Sequence, residues 1–271
     1  MLLARYFLVC LSLFGAASCH RKSSSTSTST NPPAQSAAKP VPILPPAEPW
    51  AAKPPAEWPQ LVLTNIASFK GHTPLEGASS FLVKGPTGTV YAATANHLLG
   101  PNGGVNPWVY QGDLDRDLQS WQMYPRTKEK LTISIAGLGL QKPQSEASDW
   151  LLLKVKNDGK SLPSTPLALR PTPVKIGEEI FLAGVPYAQT NRAQNIYRGR
   201  VTQRESPDWF RYDLETPVNI VGFSGAPLLD KNGLVVGVMT VWFEPKMNGE
   251  NFKEAGGQDA TYIARRLASM P

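Results

Sequence analysis

From residue 60 onward, the chain is a succession of short apolar or alternating segments that are rich in Val, Ile, Leu, Tyr and Thr. Clusters of Gly, Pro and Asn separate these segments, and two clusters, residues 85–88 and 230–233, have the composition of hairpin turns. Many short strands joined by turns are typical of a sandwich or barrel, not of a βαβ sheet. Apolar residues at helical spacing occur at about residues 258–269. The sequence therefore predicts an all-β domain followed by a C-terminal helix.

Cysteine content and charge limit how this domain can be held together and what it can bind. The only two cysteines are Cys10 and Cys19, so residues 60–271 contain no disulfide and depend on their apolar core. No Cys and His residues have the spacing of a zinc site, and we expect neither a metal nor a cofactor. The formal net charge is +6, but Lys and Arg are scattered along the chain. We therefore expect a mildly basic surface and no nucleic-acid partner.

Residues 1–18 have the features of a secretory signal peptide. Arg5 supplies a positive charge, residues 6–14 form a short apolar run, and small residues follow. The run is shorter than the ~20 apolar residues that a membrane-spanning helix needs. The segment before Cys19 resembles a bacterial lipobox, with Ala16 at the position where Leu is usual. We expect cleavage before Cys19 and lipid attachment to it; alternatively, Cys19 is a spare cysteine beside an ordinary cleavage site.

Residues 19–59 have the composition of a disordered linker. Residues 23–30 are all Ser or Thr, and ten prolines follow between Pro32 and Pro59. Such a segment cannot bury a core, and its proline-rich part should be extended. A lipid at Cys19, a spacer and a folded domain would give an exported protein tethered to a membrane of the cell envelope. Without the lipid, the protein would be periplasmic or secreted.

Three segments of the folded part carry residue types that suit nucleophilic catalysis. His97 ends a run of small and apolar residues, which lets an imidazole face a cleft. Ser224 follows Gly222 by two positions, and a turn there can direct the N–H groups of both residues at one oxyanion. Asp149 precedes an apolar run, where a partly buried carboxylate can orient an imidazole. Each residue also has a plain structural explanation, as a loop histidine, a turn serine or an acid that opens a strand.

The sequences around these residues resemble the motifs of chymotrypsin-like serine proteases. Residues 94–97 read Thr-Ala-Asn-His, residues 149–153 read Asp-Trp-Leu-Leu-Leu, and residues 222–227 read Gly-Phe-Ser-Gly-Ala-Pro. The order His97, Asp149, Ser224 is that of this family. A subtilisin needs Asp before His, and the first Asp here is Asp113. An α/β-hydrolase needs His after Ser, and no histidine follows His97.

The resemblance implies a fold and a reaction. The fold would be two packed antiparallel six-stranded β-barrels with a C-terminal helix, in a trypsin-like protease domain formed by residues 60–271. The chain would be a serine endopeptidase that cleaves polypeptides through an acyl-enzyme, with His97, Asp149 and Ser224 as its catalytic triad. The N–H groups of Gly222 and Ser224 would form the oxyanion hole. The segment 237–240 also resembles quality-control proteases of the HtrA type, without their peptide-binding domain.

The resemblance also indicates where a substrate side chain would bind. In this family the primary specificity pocket is built from the segment before the serine and the strand after it. Here those segments supply Val218, Asn219, Thr240 and Trp242, with no acid among them. We therefore expect a neutral pocket that does not favour Lys or Arg. Trp242 stands where a small residue usually keeps the pocket open, so the pocket should be short.

Departures from the family motifs leave a second hypothesis open. Ala226 replaces a usual glycine, and Phe223 stands where zymogen-activated relatives have an aspartate that receives a newly cut N-terminus. The mature fold should then need no activating cleavage. Phe223 could instead narrow or occlude the oxyanion loop, which together with Trp242 favours a catalytically inactive, trypsin-fold binding module at the cell envelope. A structural envelope lipoprotein is a third hypothesis, under which the order of the three residues is a coincidence.

Overall fold

The computed structural model describes residues 49–139, 148–156, 161–243, 246–247, 250–251 and 254–269. For residues 241–243, 246–247, 250–251 and 254, it describes the backbone only. The predicted signal peptide, the predicted linker up to residue 48 and the predicted lipid site at Cys19 lie outside the described residues. No helix of the described part is long and apolar enough to cross a membrane.

Six antiparallel strands close the first β-barrel in the order β1-β2-β3-β6-β5-β4. They are β1 (Leu63–Phe69), β2 (Leu75–Lys84), β3 (Val90–Thr94), β4 (Leu118–Tyr124), β5 (Ile133–Leu138) and β6 (Leu151–Val155), and the short helix α1 (Leu114–Asp117) precedes β4. The hairpin expected at residues 85–88 joins β2 and β3, where the N–H of Gly85 donates to the carbonyl of Thr89 at 2.8 Å.

A second antiparallel barrel follows, with the order β10-β11-β14-β9-β8-β7. Its strands are β7 (Glu179–Gly184), β8 (Asn195–Ser206), β9 (Trp209–Leu214), β10 (Pro227–Leu229), β11 (Val235–Phe243) and β14 (Glu254–Asp259). A small ribbon, β12 (Lys246–Met247) and β13 (Glu250–Asn251), lies between β11 and β14, and helix α2 (Ala260–Ala268) ends the fold. The predicted class, two packed six-stranded barrels with a C-terminal helix, is confirmed.

The apolar residues form three clusters, one inside each barrel and one between the barrels. Strand β6 shows why its sequence is continuously apolar: Leu151 and Leu153 point into the first barrel, while Leu152 points to the interface. At that interface Leu152 and Phe81 from the first barrel pack with Phe181 from the second. A strand with both faces buried has no polar side to alternate with. Burial on two sides therefore replaces the alternation that a half-exposed strand would show.

Two parts of the fold differ from what the sequence pattern predicts. Residues 108–110 have the aromatic and β-branched composition of a strand, Trp-Val-Tyr, but form a loop in which Trp108 packs closely on Gly100; Gln111 begins a turn of 3-10 helix. The sequence pattern does not predict strands β4 and β14, because Gln119 and Ser120 interrupt the alternation at the start of β4 and β14 contains two adjacent glycines. The C-terminal helix begins at Ala260, since the side chain of Asp259 accepts a hydrogen bond from the N–H of Thr261 and caps the helix.

The segment before β1 packs on the second barrel. Its aromatic residues Trp50 and Trp58 make an edge-to-face contact with ring centroids 5.5 Å apart, and Trp58 in turn contacts Phe181. The side chain of Gln194 accepts hydrogen bonds from the N–H groups of Leu61 and Val62. These contacts fix the direction in which the chain enters the first barrel.

Candidate active site

His97 and Asp149 are joined by two hydrogen bonds. His97 lies in a single turn of 3-10 helix (Asn96–Leu99) that directly follows β3. Its ring Nδ1 is 2.7 Å from Asp149 Oδ2, and its backbone N–H donates to Asp149 Oδ1 at 2.8 Å. Because a carboxylate only accepts, Nδ1 carries the proton in this pair and Nε2 keeps its lone pair. The two contacts fix both the position and the tautomer of the imidazole.

Asp149 is itself held by the second barrel. Its backbone N–H donates to the side-chain oxygen of Gln258 at 2.8 Å. Gln258 belongs to β14 and is 2% exposed, so this contact is shielded from water. Position 149 comes from the first barrel, just before β6. One hydrogen bond therefore ties the acid of the first barrel to the frame of the second.

Ser224 lies in the turn that precedes β10. Around it, the N–H groups of Val221, Phe223 and Gly225 donate respectively to Asn219 Oδ1, to the carbonyl of Ile220 and to the carbonyl of Met239. Within the described part of the chain, the N–H groups of Gly222 and Ser224 donate to no protein acceptor. Gly222 has φ +95°, which glycine adopts without strain. The two N–H groups predicted for the oxyanion hole are the ones that this turn leaves available.

The three candidate catalytic residues line one cavity of about 600 Å³. Its lining includes His97, Asp149, Gly222, Ser224 and Thr240. Among the described contacts, none is a hydrogen bond between the Ser224 hydroxyl and the His97 ring. In unliganded enzymes such contacts are often long and shorten when substrate binds. His72 lies in the β1–β2 turn, with its Nδ1 2.7 Å from the carbonyl oxygen of Pro107, and it does not line this cavity.

The predicted substrate-binding residues are only partly brought together. Thr240 is buried and lines the cavity, whereas Val218 packs against the core of the second barrel. Asn219 is exposed and is not part of the cavity lining. Trp242 lies in β11, and its side chain is outside what the structure describes. Ile220, Val221 and Met239, which also belong to the two pocket-forming segments, line the cavity. The sequence did not indicate the apolar lining that comes from other segments: Leu75, Ala78, Leu98 and Tyr187.

Comparison with known proteins assigns the family. The model of the family described as "trypsin-like peptidase domain" matches residues 78–238, which is more than half of the chain. The chain belongs to the trypsin-like peptidase family. A search of curated proteins finds no match.

Solved structures of one protease are similar to this chain. The active form of the Rv3671c protease from M. tuberculosis is 19% identical, with a TM-score of 0.50 over 87% of this chain and 93% of that one. An inactive form with a Ser343Ala substitution is 17% identical, with a TM-score of 0.47 over 86% of this chain and 97% of that one. At 19% identity, the likeness to the active form concerns the fold alone.

Phe223 does not occupy the cavity. Its side chain is fully buried in the core of the second barrel, where its ring lies 5.6 Å from that of Tyr197. The ring also rests on Gly184 so closely that any side chain at that position would collide with it. Phe223 separates the two available N–H groups in sequence, so the buried ring anchors the turn between them. The occlusion that the sequence left open is therefore not observed for this side chain.

Tyr187, from the loop between β7 and β8, covers the outer side of the same turn. Its ring is 3.0 Å from where a Cβ of residue 222 would lie, and its hydroxyl accepts a hydrogen bond from the N–H of Ala78 at 2.7 Å. The guanidinium of Arg126 stands 5.3 Å from the centre of the Tyr187 ring. The turn is thus enclosed by an aromatic ring on its core side and by another at its surface.

Replacing Phe223 by Ala tests whether this ring is an anchor. Removing a fully buried phenylalanine should lower the free energy of unfolding by about 3–5 kcal/mol, from lost burial and the cavity left behind. Denaturant-induced unfolding measures the change. Val221→Ala, on an exposed position of the same turn, is the matched control and should change stability by about 0.5 kcal/mol or less. Equal, small effects of both substitutions would show that Phe223 is not buried.

Proposed function

We propose that this protein is a serine endopeptidase with His97, Asp149 and Ser224 as its catalytic triad. The observation that carries the proposal is the cavity in which the hydrogen-bonded pair of His97 and Asp149 meets Ser224 beside two unused N–H groups. A nucleophile, an oriented base and convergent oxyanion donors together are what acyl transfer requires. Membership of the trypsin-like peptidase family supports the same assignment.

The reaction follows from these positions. His97 Nε2 accepts the hydroxyl proton of Ser224 as the oxygen attacks the carbonyl carbon of the scissile peptide. The resulting oxyanion accepts hydrogen bonds from the N–H groups of Gly222 and Ser224. Collapse of this intermediate breaks the C–N bond, and His97 gives its proton to the leaving amine. A water molecule then repeats the sequence on the acyl-enzyme and releases the carboxylic acid, with Asp149 stabilising the imidazolium in both halves.

The cavity supports a preference for neutral side chains. Of the described residues that line it, Asp149 is the only acid, and both of its oxygens are occupied by His97. The neighbouring wall is formed by Ile220 and Met239, both buried and apolar. A Lys or Arg side chain would lose its hydration there without gaining a partner, which is costly. We therefore propose cleavage after an aliphatic or small aromatic residue.

We also propose that the protein is exported and attached to a membrane through lipid on Cys19, with the residues after it as a spacer. The support is the sequence of residues 1–59, in which the lipobox-like segment precedes a Ser/Thr- and Pro-rich region. This part of the proposal is independent of the catalytic part.

Labelling with a fluorophosphonate probe tests the reaction. We expect the full-length wild-type protein to be labelled, because the probe reacts with an activated serine, and we expect Ser224→Ala and His97→Ala to abolish the labelling. Either substitution should also lower kcat on a cleavable peptide by about 10⁶-fold. Intact-mass measurement should show a single adduct, and peptide mapping after digestion should locate it on Ser224.

Matched controls separate the site from the rest of the fold. His72→Ala removes the other histidine of the described domain, and Ser269→Ala removes an exposed serine that directly follows α2; both variants should be labelled like the wild type. A folded wild-type protein that is not labelled would contradict the proposal that this protein is a serine endopeptidase. It would favour the second hypothesis, a trypsin-fold binding module.

A peptide library tests the specificity. We expect kcat/KM to be at least about tenfold higher for peptides with an aliphatic residue before the scissile bond than for peptides with Lys or Arg there. Mass spectrometry of the products identifies the cleaved bonds. A preference for the basic peptides would show that the cavity wall is not the one that receives this side chain.

Fractionation of the expressing bacteria tests the attachment. The wild type should be recovered with membranes and incorporate radioactive palmitate, whereas Cys19→Ser should be soluble and unlabelled. Cys10→Ser, which keeps the cysteine at the cleavage site, should behave like the wild type. Membrane recovery of Cys19→Ser would contradict the proposed attachment.

A further inference from the structure

Ser79 reaches from the first barrel to the turn that carries the nucleophile. It is 3% exposed and lies on β2, directly after a β-bulge at Ala78, which breaks the register with β1. Its backbone N–H donates to the carbonyl of Ser224 at 2.9 Å, and its hydroxyl donates to the carbonyl of Gly222, also at 2.9 Å. A bulge re-aims the groups that follow it, and here it directs two donors of one residue across the barrel interface.

The position of Ser79 is fixed from the opposite side. The hydroxyl of Thr94 on β3 donates to the carbonyl of Ser79 at 2.7 Å and is fully buried. The donors of Ser79 therefore belong to the rigid framework of the first barrel, and the carbonyls that they bind belong to a turn of the second barrel.

The bond to Gly222 fixes a whole peptide plane. The carbonyl oxygen of the Gly222–Phe223 peptide accepts a hydrogen bond from the Ser79 hydroxyl. The N–H of the same peptide donates to the carbonyl oxygen of Ile220 at 3.0 Å. A planar peptide held at both ends cannot rotate. Rotation of this peptide plane would matter because glycine is the least restrained residue type. The dihedral angles of Gly222 determine the direction of its own N–H.

We propose that Ser79 is a positioning residue that keeps the N–H groups of Gly222 and Ser224 in the arrangement that binds an oxyanion. It acts through the turn and does not touch the reacting atoms. This inference rests on the proposed function for its kinetic consequence, but its structural consequence can be measured without turnover.

Ser80 offers a matched control. It is the next residue of β2, is fully buried, and its hydroxyl donates to the backbone carbonyl of Leu63 at 3.3 Å, inside the first barrel. Ser79→Ala and Ser80→Ala therefore each remove one buried hydroxyl that is bonded to one carbonyl. Only the first substitution releases the turn at Gly222. Comparable losses of thermal stability are expected for the two variants.

The kinetic test compares both variants with the wild type on one cleavable peptide. We expect Ser79→Ala to lower kcat by about tenfold with KM within about twofold, since displaced donors weaken binding of the transition state and not of the substrate. A peptide boronate, which forms a tetrahedral adduct, should bind the variant more weakly by a similar factor. Ser80→Ala should keep the wild-type values, and Ser79→Cys, with a weaker donor, should be intermediate.

Amide hydrogen exchange provides the readout that does not depend on activity. Peptides covering residues 220–226 should exchange faster in Ser79→Ala than in Ser80→Ala or the wild type. If the wild type neither reacts with the fluorophosphonate nor cleaves peptides, the proposed function fails, and the exchange comparison still decides whether Ser79 holds the turn. If the wild type is active but Ser79→Ala and Ser80→Ala show equal kcat and equal exchange, the role of Ser79 is refuted.

Discussion

The apolar interface between the two barrels decides whether the candidate site exists, because the site is divided across it. His97 and Asp149 come from the first barrel, and Gly222 and Ser224 come from the second. Phe81 and Leu152, which are both fully buried, pack there against Phe181, which is 7% exposed. Close packing of this kind tolerates little sliding, so it fixes the distance between His97 and Ser224.

Hydrogen bonds across the same interface determine how the two barrels are oriented relative to each other. Gln258 holds the backbone of Asp149, Ser79 holds the carbonyls of Gly222 and Ser224, and Tyr187 binds the N–H of Ala78. Dispersion and hydrophobic contacts are not directional, whereas buried polar groups must meet specific partners or lose free energy. These contacts therefore select one relative orientation of the barrels. They also join Asp149, and the turn that carries Gly222 and Ser224, to the opposite barrel.

The sequence predicts the parts of this arrangement that are local. Turn residues, apolar runs and helical spacing specify most strands and α2, and the motifs around positions 97, 149 and 224 indicate which residues could carry the chemistry. The sequence pattern does not predict strand β14, because its glycines contribute no alternation of apolar and polar side chains; they leave room for neighbours such as Leu228. The contacts that Ser79, Tyr187 and Gln258 make at the site are not predictable for a different reason. Their partners are far away in sequence, and no local pattern reveals them.

We propose that the turn carrying Gly222 and Ser224 is already arranged in the folded chain to bind an oxyanion. Phe223 anchors this turn, Ser79 holds it, and His97 lies beside it, oriented by Asp149. The most direct measurement is a crystal structure of the protein with a peptide boronate. We expect a bond from boron to Ser224 Oγ, a boronate oxygen within hydrogen-bonding distance of the N–H groups of Gly222 and Ser224, and Phe223 still buried. An adduct elsewhere, no adduct, or a turn that must rearrange to form one would contradict it.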